Sequence, residues 1–413
     1  MRAVKPRRLV VVGNGMAAVR TLEELLRVAP GQFHISVLGA EAHGHYNRIG
    51  LTPVLAGEKS FADILTHDHD WYAAQGITLY AGDPAVAIDR QRREVHSRQG
   101  RVLPYDRLLI ATGSTPFVPA LPGHDLPGVL CFRDIEDVEH MLAAGRQGGR
   151  RAVVVGGGLL GLEAACGLLH RGMQVSVVHV HAQLMERQLD PYAAALLQAA
   201  LERRGLRFIL PARTLAILGD RQARGLRLED GRECAAELVV MATGVRPNIA
   251  LAQQAGLYCE RALVVDDTLQ TLTDPRIYAV GECVQHRQTT YGLVAPLYEQ
   301  ARVCAQHLAG LGTGRYSGSQ TGTRLKVTGI DLFSAGEHAG GPGTQDLYYR
   351  DPAQGVYKRL ALRNGRLTGV LLMGDVRDSA WYFDLLQRGV DVGPWRDRLL
   401  FGRARCEPLA QAA

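Results

Sequence analysis

Leu9-Val-Val-Val-Gly-Asn-Gly-Met-Ala-Ala18 is the stretch that decides the fold. Four apolar residues, three of them β-branched, have the length and composition of a strand buried on both faces of a parallel sheet. The chain then turns on Gly13 and Gly15, and apolar residues recur every three or four positions through Val19–Val28, the period of a helix with one buried face. An apolar run at His34–Leu38 returns to a strand and completes a β-α-β unit. At the first strand-to-helix turn, Gly13-Asn14-Gly15-Met16-Ala17-Ala18 has the spacing G-x-G-x-x-[GA]. Gly13 allows the tight turn, Gly15 lets a pyrophosphate approach the backbone, and the small Ala18 lets helix and strand pack closely. The free N–H groups at the helix start favour an anion there.

The same arrangement returns at Ala152-Val-Val-Val-Gly156-Gly157-Gly158-Leu159-Leu160-Gly161, with a helical pattern through Leu159–Leu169 and a second strand at Gln174–Val178. Each unit is closed by another apolar run, Leu108-Leu-Ile-Ala111-Thr112-Gly113 in the first and Leu238-Val-Val-Met-Ala-Thr-Gly244 in the second. Ser114–Gly128, dense in proline and glycine, marks a domain crossing, and Ala309–Gly322 reads as a flexible link. Beyond it, Leu325–Gly329, Leu347–Tyr349, Val356–Leu362 and Leu367–Met373 read as strands. The expected fold is α/β: two Rossmann-like dinucleotide-binding domains, the second inserted in the first, plus a small mainly β C-terminal domain. The boundaries are 1–118 with 245–310 for one, 119–244 for the other and 323–413 for the third. The third is either a homodimer contact or a cover over the bound cofactor.

A carboxylate roughly 20 residues beyond the first glycine turn is expected to bond ribose hydroxyls. Glu41 is the nearest candidate, with Gly39 and Ala40 intervening, and a solvated loop glutamate is the other reading. In the second unit that position holds His179, with His181 close by and Arg187 further on, which leaves NADH against NADPH open.

The 413 residues are 46% hydrophobic and 21% charged, as in a globular enzyme of two or three domains. The formal net charge is +6, but no basic run is interleaved with aromatics. That pattern points away from nucleic acid and towards ordinary surface charge or docking of an acidic redox protein. The apolar run after the basic start is too short for a signal segment or membrane span, so a cytoplasmic, non-membrane protein is expected. Cysteines stand at 131, 166, 234, 259, 283, 304 and 406, without a C-x-x-C pair or a spacing suited to a metal.

Tyr105-Asp-Arg-Leu-Leu-Ile-Ala-Thr-Gly113 and Ile277-Tyr-Ala-Val-Gly281-Glu282, with the two fingerprints in this order, resemble the two-dinucleotide flavoprotein reductases. A closer likeness lies at Tyr46-Asn-Arg48 with Leu51-Thr-Pro53-Val-Leu-Ala-Gly-Glu58, and at Leu184-Met-Glu-Arg-Gln-Leu-Asp190. It continues at Gly281–His286 and Tyr291–Ala301, and weakly through Lys326-Val-Thr-Gly-Ile-Asp331 and Leu371–Asp375. These segments are similar to the N-terminal flavin region of the assimilatory NADH nitrite reductase large subunit and to the electron-transfer subunit of assimilatory nitrate reductases.

The resemblance implies FAD and NAD(P)H as cofactors. It places Gly13, Asn14, Gly15, Met16, Ala17 and Ala18 on the FAD pyrophosphate, Arg48 and Pro53 on its phosphate or isoalloxazine side, and Val86 by the adenine. Ala111, Thr112 and Gly113, with Gly281 and Glu282, would hold the centre of the cofactor; Glu282 stands where such families usually carry aspartate. Leu293 and Val294 open a helix whose N–H groups would face the flavin. Gly156, Gly158, Leu159, Leu160, Gly161 and Gly244 would take NAD(P)H. Glu163 resembles an acid near the nicotinamide, or else is a partly buried glutamate capping local backbone. No catalytic nucleophile and no metal is implied.

Related disulfide reductases pass electrons from flavin to a cysteine pair, which is missing here, so the acceptor should be an external redox protein. The family points to a nitrate or nitrite reductase catalytic subunit. A rubredoxin or ferredoxin of another pathway is the first alternative, and a flavin- and nucleotide-binding sensor the second. Complete nitrite reductases of the family continue into cysteine-rich iron–sulfur and sirohaem segments; this sequence has none, which implies that such centres belong to a partner.

Overall fold

The computed structural model describes residues 6–146, 150–325, 327 and 329–406. Residues 1–5 of the basic start, and Lys326 and Thr328 of the 326–331 motif, lie outside the described residues. The chain divides into two compact units. One runs up to Leu51 and takes in Lys59–Thr115 and Val245–Ser319; the other is Thr52–Glu58, Pro116–Gly244 and the chain from Gln320 onward.

The first unit is built on a five-stranded sheet in the order Ile277–Ala279, Arg107–Ile110, Arg7–Val12, Phe33–Leu38, Ile77–Tyr80, all parallel. Leu9, Val11, Val37, Leu108 and Leu109 are fully buried, as strands covered on both faces require. The helix Met16–Val28 buries Ala18, Val19, Leu22 and Leu25 and sets Glu24 between Arg20 and Arg27 on its rim. It packs beside the helix Val294–Leu308. A three-stranded antiparallel meander, Ala85–Asp89, Glu94–Ser97 and Val102–Pro104, lies in the chain between Ile77–Tyr80 and Arg107–Ile110.

The second unit repeats this plan. Its parallel sheet runs Val129–Leu130, Leu238–Met241, Arg151–Val155, Gln174–Val178, Arg207–Ile209, and its meander is Thr214–Leu218, Gly225–Leu228 and Glu233–Ala235. The architecture is thus α/β with two Rossmann-like folds, the second inserted in the chain of the first.

The C-terminal segment forms an antiparallel sheet in the order Gly322–Arg324, Leu332–Gly336, Arg366–Met373, Val356–Arg363, Gln345–Asp351, covered by the helix Ser379–Arg388. Two sequence expectations change here. Lys326 and Thr328 of the run 325–329 lie outside the described residues; of the rest, Gly329 turns with φ +72° and Val327 makes an isolated bridge to Ile330 instead of joining the sheet. The strand Leu332–Gly336 had no sequence signal, being short and without a β-branched residue. Nor is 309–322 a loose link, because Tyr316 is buried and its N–H donates to the Asp267 carbonyl at 2.7 Å.

A buried polar knot joins the C-terminal sheet to the inserted fold within this unit. Asp190 Oδ1 caps the helix Pro191–Glu202 through Ala193 N–H, while Oδ2 accepts from Tyr357 Oη at 2.6 Å and Arg359 Nη1 at 3.1 Å. Arg359 also donates to Asp346 at 2.8 Å. Deleting one member of such a cluster leaves its partners desolvated and unpaired. Asp190→Ala is therefore expected to destabilise the second unit by about 3 kcal/mol, read as a lower urea midpoint in the fluorescence of Trp381 and Trp395; Asp190→Asn, which keeps the cap, should lose less.

Candidate functional site

Both glycine turns sit at the carboxyl ends of their central strands and are clamped in the same way. Gly13 N–H donates to Leu38 O at 2.9 Å, and Ala111 N–H donates to Val12 O at 2.8 Å. In the second copy Gly156 N–H donates to Val178 O at 2.8 Å, and Ala242 N–H to Val155 O at 2.9 Å. The first glycine of each turn has left-handed φ, +106° and +126°, and a Cβ there would lie 2.3 Å from Ala111 O or 2.2 Å from Ala242 O. Only glycine closes such a turn.

Gly15 and Gly158 have a different reason to be glycine. Their φ values, −82° and −83°, suit any residue, and a Cβ on either would meet no protein atom within 4 Å. Each is the N-cap of the helix that follows, with no side-chain cap and no acid in the first turn. Two helix N-termini therefore present N–H groups, and the positive end of the helix dipole, to space that the backbone keeps clear. A pyrophosphate suits that cradle in charge and in hydrogen bonding. At the third position Ala18 is buried, whereas a Cβ on Gly161 would lie 2.1 Å from Gly156 O.

Around the first cradle the structure gathers residues distant in sequence. Asn14 Oδ1 accepts from Tyr72 Oη at 2.6 Å, and its carbonyl accepts from His45 Nδ1 at 3.1 Å. Burial lowers the His45 pKa to about 4, so at neutral pH the ring is uncharged and holds its proton on Nδ1. Glu41 accepts from Tyr46 Oη at 2.7 Å and pairs with Arg48, which brings two of the expected site residues together. Thr112 Oγ1 donates to Asn248 O at 2.7 Å, and Ser114 Oγ to Glu282 Oε2 at 2.6 Å. Gly281, at φ +96°, approaches Ala17, where a Cβ would lie 3.1 Å from the alanine's own, and its N–H donates to the buried Gln300 Oε1 at 2.9 Å. Leu293 is the N-cap and Val294 the first residue of the helix Val294–Leu308. Val86 is exposed on the meander, apart from these contacts.

In the second unit Leu159 and Leu160 form the first helical turn after Gly158, and Gly244, at φ +116°, has open space on its Cβ side. Glu163 is buried one turn along that helix and accepts from Thr52 Oγ1 at 2.8 Å. Arg171, at the helix end, donates to Leu55 O at 2.7 Å and Val54 O at 3.1 Å. The segment that carries Thr52 and Pro53 is thereby tied to the helix that opens at the second cradle.

Burial makes six of the seven thiols poor nucleophiles. Burial pushes Cys131 and Cys166 up to about 11 and raises Cys234, Cys259, Cys283 and Cys304 as well. Among the described residues no group of histidine, cysteine and carboxylate side chains is placed to hold a metal ion, and no helix is long and apolar enough to cross a membrane. His45, Tyr72, Ser114 and Asn248 had no sequence signal, since each reaches its partner through the fold, and Thr52 lay inside the segment 51–58 without a mark of its own. Gln300 lay inside a motif but carried no distinguishing mark.

Two dinucleotide cradles of one build, joined in one chain, define a flavoprotein oxidoreductase whose cofactors are FAD and NAD(P)H. Residues 7–307 match the family model of the pyridine nucleotide-disulphide oxidoreductases, and the chain belongs to that family. Residues 322–390 match the rubredoxin NAD+ reductase C-terminal domain. Among similar proteins, the nitrite reductase [NAD(P)H] of Bacillus subtilis is 47% identical over 94% of this chain and 48% of its own length. The assimilatory nitrate reductase electron transfer subunit of the same organism is 45% identical, over 94% of this chain and 50% of its own length. The chain thus spans about half the length of these relatives. The putidaredoxin reductase–putidaredoxin complex is similar in structure at a TM-score of 0.83 and 26% identity, covering 96% of this chain and 99% of that one.

The two glycine classes should separate experimentally. In the cofactor-free protein, Gly13→Ala and Gly156→Ala are expected to lower the thermal midpoint clearly, because the added carbon meets a backbone carbonyl. Gly15→Ala and Gly158→Ala meet no protein atom and should cost only the N-cap preference for glycine over alanine, about 0.5–1 kcal/mol, a visibly smaller shift in the same scan.

Proposed function

We propose that this chain takes reducing equivalents from NAD(P)H onto FAD and passes them to a separate redox protein, as the electron-transfer component of assimilatory nitrate or nitrite reduction. The observation that carries the reading is the pairing of two equivalent cradles with no cysteine pair to receive electrons. Likeness to the two Bacillus subtilis relatives supports the pathway. The rubredoxin-reductase match at 322–390 and the structural likeness to putidaredoxin reductase favour a second reading, reduction of a rubredoxin- or ferredoxin-type protein in another pathway.

In this reading Gly13–Ala18 hold the FAD pyrophosphate, Glu41 faces the adenosine ribose, Arg48 and Pro53 line the phosphate or isoalloxazine side, and Val86 stands by the adenine. Ala111–Gly113 and Gly281–Glu282 hold the middle of the cofactor, with Ser114 and Gln300 fixing the latter pair. Gly156, Gly158–Gly161 and Gly244 hold NAD(P)H. The domains are then 1–118 with 245–310 for FAD, 119–244 for NAD(P)H, and 323–413 as an interface or flavin-covering domain, in a cytoplasmic protein that forms a homodimer.

When bound, the two cofactors supply the hydride chemistry themselves. The chain positions and desolvates. Glu163 and Thr52 lock the helix of the second cradle to the segment of Pro53. First-turn N–H groups of the helix Val294–Leu308 would supply positive potential to a bound flavin. No side chain needs to act as a nucleophile, in keeping with the raised thiols.

Gly15→Val should abolish FAD retention, read as loss of flavin absorbance after gel filtration, because the side chain fills pyrophosphate space. Gly158→Val should keep FAD and raise the KM for NAD(P)H by at least about tenfold; loss of FAD in that variant would reverse the order of the sites. The decisive assay is reconstitution. NAD(P)H-driven reduction of nitrate or nitrite with a supplied catalytic partner supports the first reading, and fast turnover on rubredoxin alone supports the second.

A further inference from the structure

At the end of the second strand of the inserted fold, where a carboxylate would grip the ribose of NADH, stands His179. Its ring is folded onto the glycine turn: Gly157 N–H donates to His179 Nδ1 at 3.1 Å. That bond requires Nδ1 to be an acceptor, so the proton sits on Nε2, which donates to Glu186 Oε2 at 3.1 Å. Burial holds His179 below its ordinary value in spite of that carboxylate, in keeping with a neutral ring.

The turn that carries Glu186 is pinned to the same glycine from its other side. Met185 N–H donates to Gly157 O at 3.0 Å, with Met185 buried and in left-handed backbone at φ +49°. A Cβ on Gly157 would lie 2.8 Å from both the His179 ring and Leu184 Cδ2. The middle residue of the fingerprint, which the motif leaves free, is thus glycine here to admit these two side chains. Their packing brings a glutamate that is distant along the chain beside the strand end.

We infer that Glu186, held by His179 against Gly157, is the carboxylate that recognises the adenosine ribose and makes the chain prefer NADH to NADPH. A 2′-phosphate carries between one and a half and two negative charges at neutral pH. Beside a fixed carboxylate it is repelled, whereas a free 2′-hydroxyl donates to it. Burial raises the Glu186 carboxyl, but its own backbone N–H and the His179 ring outweigh this and keep it below the ordinary value, hence charged. The opposing groups are His181, whose Nε2 stands 3.8 Å from Glu186 Oε1, and Arg187, exposed next in the chain, which in NADPH recognition would take the phosphate. The inference rests on the second cradle being the NAD(P)H site.

The test is titration calorimetry on the FAD-loaded protein with ADP-ribose and 2′-phospho-ADP-ribose, alongside kcat/KM for NADH and NADPH with an artificial acceptor. Wild type should bind ADP-ribose at least about tenfold more tightly than its 2′-phosphate. Glu186→Gln keeps an acceptor for His179 and removes only the charge, so the preference should fall about tenfold while flavin content stays unchanged. Glu186→Ala should lose the preference too, with weaker ADP-ribose binding. Binding of both ligands with a ratio that neither variant moves would overturn the inference alone. A wild type that prefers the 2′-phosphate, with the preference lost in Arg187→Ala, would overturn it in favour of Arg187. Failure of either ligand to bind to protein that retains FAD would overturn the cradle assignment and the inference with it.

Discussion

Each half of this molecule hangs on a backbone carbonyl meeting an α-carbon that has no side chain. Ala111 O against Gly13, and Ala242 O against Gly156, set how closely the strand ending in Ala-Thr-Gly approaches the glycine turn. With that approach fixed, the helix after the turn starts where its free N–H groups face clear space instead of neighbouring protein. The remaining contacts of each cradle are arranged around that start. In the first unit these are the Tyr72 and His45 bonds to Asn14, and the approach of Gly281 to Ala17. In the second they are the His179 and Met185 bonds to Gly157.

The electrostatics follow from the same geometry. A helix N-terminus without a cap and without a first-turn acid is a cost in an isolated protein, since its N–H groups lack partners. Both long glycine-capped helices carry that cost at the same place. By contrast Pro191–Glu202 is capped by Asp190, and Ile135–Gly145 by Asp134 in a capping box. Ser379–Arg388 also lacks a side-chain cap, so what sets the two glycine-capped helices apart is the space kept clear at Gly15 and Gly158. Thiol chemistry is suppressed in parallel, with burial moving the cysteines away from the thiolate.

Much of the fold was legible because its strands are short, continuous apolar runs and its turns are fixed by glycine, so that periodicity and punctuation agreed. The two sheets, the inserted order and the paired Ala-Thr-Gly closures all follow from such runs. The C-terminal sheet was read less well: Leu332–Gly336 has no period-two or β-branched signature, and 325–329 has one that Gly329 breaks. In the site, the glycines and Gly281-Glu282 were legible because backbone geometry demands particular residues at fixed spacing. The contacts of Glu41 with Arg48, of Glu163 with Thr52 and of Ser114 with Glu282 span from 7 to 168 residues and obey no local rule. His179 was visible as a departure, but the glutamate it holds was hidden by a turn whose path only packing determines.

The two cradles also form a comparison carried within one chain. They agree to within a degree in the φ of the second glycine, yet differ at the residue between the glycines, Asn14 in one and Gly157 in the other. Asn14 reaches out to a tyrosine of its own domain, while Gly157 withdraws and lets a histidine and a leucine move in. If the halves descend from one ancestral unit, divergence was free at this position because the phosphate does not constrain it. The residue that the binding motif ignores is then the one through which a duplicated fold could acquire a second, different ligand without rebuilding its core.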